Sequence, residues 1–152
     1  MADGAAVAGE AGGPGESGGA GAGGAVVGLG IDAVEVERFA VALRRWPAMV
    51  ERLFTDGERS YAAGLVNPAP SLAARFAAKE AVMKALGVGL GAFAWHDVEV
   101  VRQPSGRPQL IVRGRAASLA AECSVGRWLV SLTHTASVAS AVVAGLAPGR
   151  FA

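Results

Sequence analysis

The sequence predicts an α+β fold: a small, antiparallel-rich sheet packed with a long central helix. Three observations carry that expectation. The stretch from Arg75 to Gly87, RFAAKEAVMKALG, keeps helical periodicity through its whole length. The second half, from Val98 onward, is mostly β-rich segments separated by turn residues. Helices and strands also mix without the steady strand–helix–strand rhythm of a parallel sheet.

Composition sets the outer bounds. The 152 residues are 52% apolar and 18% charged, enough for one packed domain. No run of about 18 apolar residues appears, so no membrane span is expected. The N-terminus has no basic stretch followed by an apolar run, so it does not read as a secretory signal. The single cysteine, Cys123, reads as a small buried apolar residue in a helix. It can form no internal disulfide, which fits a reducing, cytoplasmic setting. A net charge of +1 gives no case for nucleic acid. The charge is uneven, however. Residues 1–24 hold Asp3, Glu10 and Glu16 and no lysine or arginine, leaving the remainder at +4. That segment is almost all glycine and alanine. It has too little apolar surface to offset its ordering entropy, so it is expected to be a disordered tail. The folded domain is expected over residues 25–152.

The elements follow in order. Ala25 to Ile31 (AVVGLGI) reads as a short apolar strand with Asp32 at its C-terminal end. Glu35 to Arg45 has an apolar face of Val34, Val36, Phe39 and Leu43, and reads as a helix ending near Trp46-Pro47. Met49, Val50, Leu53 and Phe54 continue apolar. Thr55-Asp56-Gly57-Glu58 matches the capping-box pattern and starts a helix running through Tyr61 to Leu65. Asn67-Pro68-Ala69-Pro70 breaks it. Ser71 is the expected cap of the central helix, and Gly87 its stop. Val88 to Gly91 is a glycine-rich loop. Val98 to Val101 is a strand, Gln103 to Pro108 a turn, and Gln109 to Val112 the return. Arg115 to Cys123 is a short alanine-rich helix. Arg127 to Thr133 alternates, with Trp128, Val130 and Leu132 on one face. Ser137 to Leu146 is the last strand, joined to it through His134-Thr135-Ala136. No internal repeat is visible.

The central helix carries the chemistry. Leu72, Phe76, Met83 and Leu86 form a core stripe, and Ala73, Ala77, Glu80, Lys84 and Gly87 form a second one beside it. A carboxylate four residues before a lysine pairs with it along a helix. The plain alternative is a surface ion pair, but the neighbouring alanines argue against full exposure. Asp32, near a helix start, suits a cation; its plain alternative is a helix N-cap. Gly28-Leu29-Gly30-Ile31-Asp32-Ala33 satisfies a loose G-x-G-x-x-A pattern, but the acid expected about 20 residues later is missing. The glycines at 87, 89 and 91 follow Lys84 instead of preceding it, so they are no P-loop. There is no G-x-S-x-G, and two histidines with one cysteine make no zinc set. What remains is two carboxylates, Asp32 and Glu80, with Lys84, Lys79, Arg75 and His134 as phosphate partners. Magnesium takes one or two protein carboxylates, waters and phosphate oxygens. Cationic side chains then neutralise charge on a transferring phosphoryl group. This is the inventory for transfer from a pyrophosphate.

GIDAVEVERF (Gly30 to Phe39), FTDGE (Phe54 to Glu58), RFAAKEAVMKALGVG (Arg75 to Gly89) and SLTHT (Ser131 to Thr135) resemble the holo-acyl-carrier-protein synthases. These are the small, single-domain phosphopantetheinyl transferases, and the resemblance spans Val26 to about Leu146. It implies the phosphopantetheinyl transferase fold and transfer of 4'-phosphopantetheine from coenzyme A to a serine of an apo acyl carrier protein. Adenosine 3',5'-bisphosphate leaves. It also implies a homotrimer with active sites between protomers and a place in fatty-acid synthesis, with polyketide carriers as alternative acceptors. Matched motif by motif, Asp32 and Glu80 would bind magnesium. Glu80 and Lys84 would be catalytic. Arg75, Lys84, Gly87, His134 and Thr135 would bind coenzyme A, and Arg38 and Arg44 would meet the acidic carrier protein. Alanine at 33 and leucine at 132 depart from the family pattern without touching a proposed ligand. The acceptor of the serine proton stays open among Glu80, a magnesium-bound water and the leaving phosphate. Two other classes stay open beside this one: a catalytically silent relative that only binds, and a nucleotide-binding α/β enzyme using Gly28 and Gly30.

Overall fold

The computed structural model describes residues 24–149. The expectation of a disordered tail therefore falls, apart from Gly24, outside the described residues. Strand β1 (Val26–Glu35) leads directly into α1 (Val36–Arg45), followed by α2 (Ala48–Leu53) and α3 (Asp56–Ala63). The long helix α4 (Ala69–Ala85) comes next, then a 3-10 turn at Trp95–Asp97, β2 (Val98–Arg102) and β3 (Pro108–Val112). Helix α5 (Gly114–Glu122) and strands β4 (Arg127–His134) and β5 (Val138–Leu146) complete the chain. The mixture is the expected α+β, and all strand pairing is antiparallel. One sheet has the order β1-β5-β4, and β2 and β3 form a separate hairpin.

Helix α4 lies across the inner face of the three-stranded sheet and packs on β1 and β5. Gly28 and Gly30 lie inside β1, in antiparallel register with β5. They are therefore not the loop of a dinucleotide site, which needs a parallel βαβ unit. Their task is packing. A side chain at Gly30 would overlap the carbonyl of Ala81, and one at Gly28 the carbonyl of Ala85. With Ala77 and Ala81 fully buried opposite, the helix main chain rests on the strand main chain. The helix residues that meet the strand, Ala81 and Ala85, lie beside the stripe of Ala73, Ala77, Glu80, Lys84 and Gly87 and are not part of it. The C-terminal half of α4 buries Val82, Met83 and Leu86 with Phe93, Val98 and Val143. The N-terminal half buries Leu72 and Ala73 with Phe39, Leu53 and Phe54. Phe76 bridges the two, stacked between Phe39 at 5.1 Å and Trp95 at 5.3 Å.

Local chemistry explains the element ends. The Thr55 capping box is present: Thr55 Oγ1 accepts from Glu58 N, and Glu58 Oε2 accepts from Thr55 N. The end of α4 is also as expected. Gly87 turns the chain at φ +66, its N–H donates to Lys84 O, and Val88 N–H donates to Met83 O, a pattern that satisfies two terminal carbonyls. Four readings need correction. Strand β1 continues to Glu35, so Asp32 is inside the strand; Val34 and Glu35 pair with Ala139 and Val138 and extend the ladder. Helix α4 begins at Ala69, before Ser71, because prolines fit a helix's first turn, where an N–H has no partner to lose. Six-residue α2 was too short to show a period. Cys123 is exposed rather than buried, since α5 buries only Ala116 and Ala120.

Candidate active site

Side chains alternate along β1, so Gly30, Asp32 and Val34 face inward and Leu29, Ile31 and Ala33 face outward. Inward from β1, Asp32 meets Glu80 and Lys84 of α4, one helical turn apart on one face. Lys84 Nζ donates to Asp32 Oδ1 at 2.7 Å and to the Ile31 carbonyl at 3.0 Å. Lys84 keeps about half its side chain in solvent, while Asp32 is nearly covered. The hydrogen bond and charge of Asp32 raise the lysine pKa, and Glu80 adds to the effect. Glu80 has its carboxyl pushed up to about 7: burial acts first, then Asp32 as hydrogen-bond partner and as a like charge, with Lys84 opposing. With both acids ionised, Asp32 Oδ2 is buried without a donor. A proton on Glu80 supplies one. A divalent cation would satisfy the same oxygens without a proton, so the donor set fits magnesium. Among the described residues no three His, Cys, Asp or Glu side chains group closely enough to hold a metal by themselves. Two carboxylates with an open side leave room for phosphate oxygens.

Two cations expected at this cluster stand elsewhere. Lys79 is fully buried and cannot meet a phosphate. Its Nζ lies 2.8 Å from Glu58 Oε2 and donates to the Trp95 carbonyl at 3.0 Å. One residue step turns a helix about 100°, so Lys79 points to α3 where Glu80 points to β1. Burial lowers the lysine pKa, and Glu58 opposes the shift. Arg75 is 6% exposed. Its guanidinium sits over the Tyr61 ring at 4.3 Å, and its Nη1 donates to the hydroxyl and carbonyl oxygens of Ser71. Within one chain Arg75 and the Asp32 cluster are on different faces of α4.

The family model for the 4'-phosphopantetheinyl transferase superfamily matches residues 28–142, which hold the whole Asp32–Glu80–Lys84 cluster. The chain belongs to this superfamily. A holo-[acyl-carrier-protein] synthase of Salinispora arenicola is 52% identical over 118 residues, 78% of this chain and 96% of that protein. The crystal structure of a holo-(acyl-carrier-protein) synthase from Bacillus anthracis, in complex with CoA (3',5'-ADP), is 32% identical. It superposes with a TM-score of 0.68 and covers 81% of this chain and 98% of its own. The Helicobacter pylori holo-[acyl-carrier-protein] synthase, in complex with coenzyme A, is 27% identical, with a TM-score of 0.66 over 76% of this chain and 96% of that one.

The remaining residues singled out by the transferase motifs lie around the cluster without joining it. Gly87 borders open space: a side chain there would meet nothing within 4 Å, and its positive φ is what demands glycine. His134 ends β4 and is in register with Ala139, itself paired to Val34. Two strand spacings, roughly 10 Å, separate it from β1. Thr135 shapes the β4–β5 turn, its Oγ1 accepting from Ser137 N and Val138 N. Arg38 is exposed on α1. Arg44 lies about 120° further round that helix and pairs with Glu37 at 3.2 Å. The sequence reading missed the Ile31 carbonyl, Glu58 and Tyr61. The capping box already explained Glu58 fully, so nothing in the sequence pointed to its second task.

Proposed function

We propose that this chain transfers 4'-phosphopantetheine from coenzyme A to a serine of an apo acyl carrier protein, giving holo carrier protein and adenosine 3',5'-bisphosphate. The single observation that carries the reading is the Asp32–Glu80–Lys84 cluster, with its buried, donorless Asp32 oxygen, in a chain that matches holo-acyl-carrier-protein synthases over most of its length. Asp32 and Glu80 would hold magnesium, which when bound neutralises the pyrophosphate and polarises its phosphorus.

The chain's own residues then divide the work. Lys84, half in solvent and anchored at Asp32 and the Ile31 carbonyl, is placed to set its ammonium against the bridging oxygens, where negative charge grows as the leaving group departs. The serine hydroxyl attacks the phosphorus next to pantetheine. Of the three acceptors left open for its proton, Glu80 is the one this chain supplies. Gly87, at the open end of α4, is a contact for coenzyme A. Arg75, His134 and Thr135 would serve the same substrate across a protomer boundary, which accounts for their distance from the cluster within one chain. A homotrimer is further supported by the outer face of the sheet, where Leu29, Ile31, Leu129 and Val142 are exposed side by side. On α1, Arg38 is the carrier-protein contact, and Arg44 contributes once released from Glu37. The working site is the cytoplasm, with fatty-acid carriers as first acceptors and polyketide carriers as the second class; among the described residues no helix is long and apolar enough to cross a membrane.

The test is intact-mass spectrometry of an apo carrier protein incubated with this chain, coenzyme A and magnesium. A gain of one phosphopantetheine, lost with a chelator and lost in Asp32→Ala, is expected. No gain with carriers from either pathway would reject the reading.

A further inference from the structure

Helix α4 carries two sets of charged contacts that a single rotation links. Lys79 and Glu80 are consecutive, so about 100° of azimuth separates them and neither can turn about the helix axis without the other. Glu80 meets the Asp32 carboxyl on β1. Lys79 points to α3. Its ammonium lies 2.8 Å from Glu58 Oε2, in a pair closed to solvent on both sides, and donates to the Trp95 carbonyl at 3.0 Å. Glu58 is itself fixed. Its Oε1 accepts from Val100 N at 2.9 Å and its Oε2 from Thr55 N at 3.0 Å. One ammonium therefore ties α4 to α3, to β2 and to the 3-10 turn.

Little else on the helix is directional. Of its buried residues, Ala73, Ala74, Ala77, Ala78 and Ala81 carry a single methyl. Apolar burial has no preferred direction, and methyl ridges are shallow. The contact of Gly30 with Ala81 fixes how closely helix and strand approach, not the angle of the helix about its own axis. Lys84 holds Asp32 and the Ile31 carbonyl, but it is half exposed, where an ion pair contributes little. Side chains reach about 5–6 Å from a helix axis, so a roll of about 15° carries the Glu80 carboxyl about 1.5 Å. We propose that Lys79 is a positioning residue for the site: its closed pair with Glu58 sets the roll of α4 and so holds the Glu80 carboxyl against Asp32. This rests on the reading that Asp32 and Glu80 hold a divalent cation. It goes beyond that reading in giving a buried residue outside the cluster control over the cation's affinity, because magnesium accepts only near-octahedral ligand geometry.

The experiment measures manganese(II) binding to the full chain without coenzyme A, read as loss of the free-ion electron paramagnetic resonance signal. Crystal structures and melting temperatures of parent and variants accompany it. Folded Lys79→Met is expected to raise the manganese Kd about tenfold. Its crystal structure, superposed on β1 and β5, is expected to show the Glu80 carboxyl about 1 Å or more from its parent position. Lys79→Gln, which keeps a donor for the Trp95 carbonyl, replaces it in both measurements if Lys79→Met does not fold. Leu146→Ala is the control. It opens a cavity at the end of β5 away from Asp32, so it lowers the melting temperature and leaves the manganese Kd in place. A Lys79 that served stability alone would behave like it. A manganese Kd within about twofold of the parent in a folded Lys79 variant overturns the proposal, and so does a Glu80 carboxyl that has not moved. A parent chain that binds no manganese rejects the metal reading alone, and the position of Glu80 in the variant crystal still decides Lys79.

Discussion

Replacing Lys79 by methionine removes one charge from an ion pair that is closed to solvent on both sides. Lys79 and Glu58 side chains are fully buried and 2.8 Å apart. Glu58 keeps two other donors, Thr55 N at 3.0 Å and Val100 N at 2.9 Å. The Trp95 carbonyl, which accepts from Lys79, keeps none from this side chain. Breaking a buried pair by removing one partner destabilises by about 3–5 kcal/mol, because the survivor is an uncompensated buried charge. Lys79→Met belongs at the low end of that range, about 3 kcal/mol, since backbone donors still serve the carboxylate. Glu58→Gln belongs at the high end. Lys79 then keeps only one carbonyl, and an amide N–H replaces an acceptor where backbone N–H groups point. For a domain of this size about 4 °C per kcal/mol is expected, so the melting temperature falls by roughly 12 °C and 20 °C respectively. The double variant should be less damaged than the sum, with a coupling of about 2 kcal/mol. Urea unfolding followed by circular dichroism, at one fixed protein concentration because assembly also stabilises, reads all three. A loss below about 1 kcal/mol in Lys79→Met, or additive single effects, would refute the assignment of Lys79 to structure and return it to the substrate side.

Three further outcomes follow from the site. Glu80 has a raised pKa, so from about 4.5 to about 7 the folded chain keeps a proton that the unfolded chain has lost. In chelator, stability therefore falls as pH rises through that window; thermal melts should show it, and Glu80→Gln should flatten it. Lys84→Ala should lower kcat for transfer on the order of a hundredfold while leaving the melting temperature nearly unchanged, because its pair with Asp32 is half exposed; coupled mass and melting measurements test both halves. Gly30→Ala places a methyl on the Ala81 carbonyl and should destabilise by about 3 kcal/mol or more, read as a lowered urea midpoint.

The sequence was legible where a local rule had one outcome. The Thr55 capping box, the Gly87 stop and the alternation of β4 each depend on neighbours within a few residues, and each appears as read. Asp32 and Glu80 were separately visible as acids in unusual surroundings, but their meeting depends on the packing of β1 on α4, which no spacing encodes. The family motifs supplied that link. What stayed hidden was azimuth and burial. Lys79 and Glu80 are consecutive, both charged, and differ only in which side of α4 they occupy, and the stripes of small residues on either side did not distinguish the two directions. Gly28 and Gly30 matched a nucleotide pattern in letters, and only the antiparallel partner strand β5 showed that the pattern was empty.

Those two glycines also determine how the site tolerates change. Where helices rest on sheets through large side chains, each repacking of the core shifts the gap between them. Here main chain touches main chain at Gly30 and Ala81, so no compressible layer lies between the strand that carries Asp32 and the helix that carries Glu80. The spacing of the two main chains that carry the carboxylates is set by direct contact, as in a dry-stone joint. A side chain added at Gly30 would force strand and helix apart, and the two carboxylates with them.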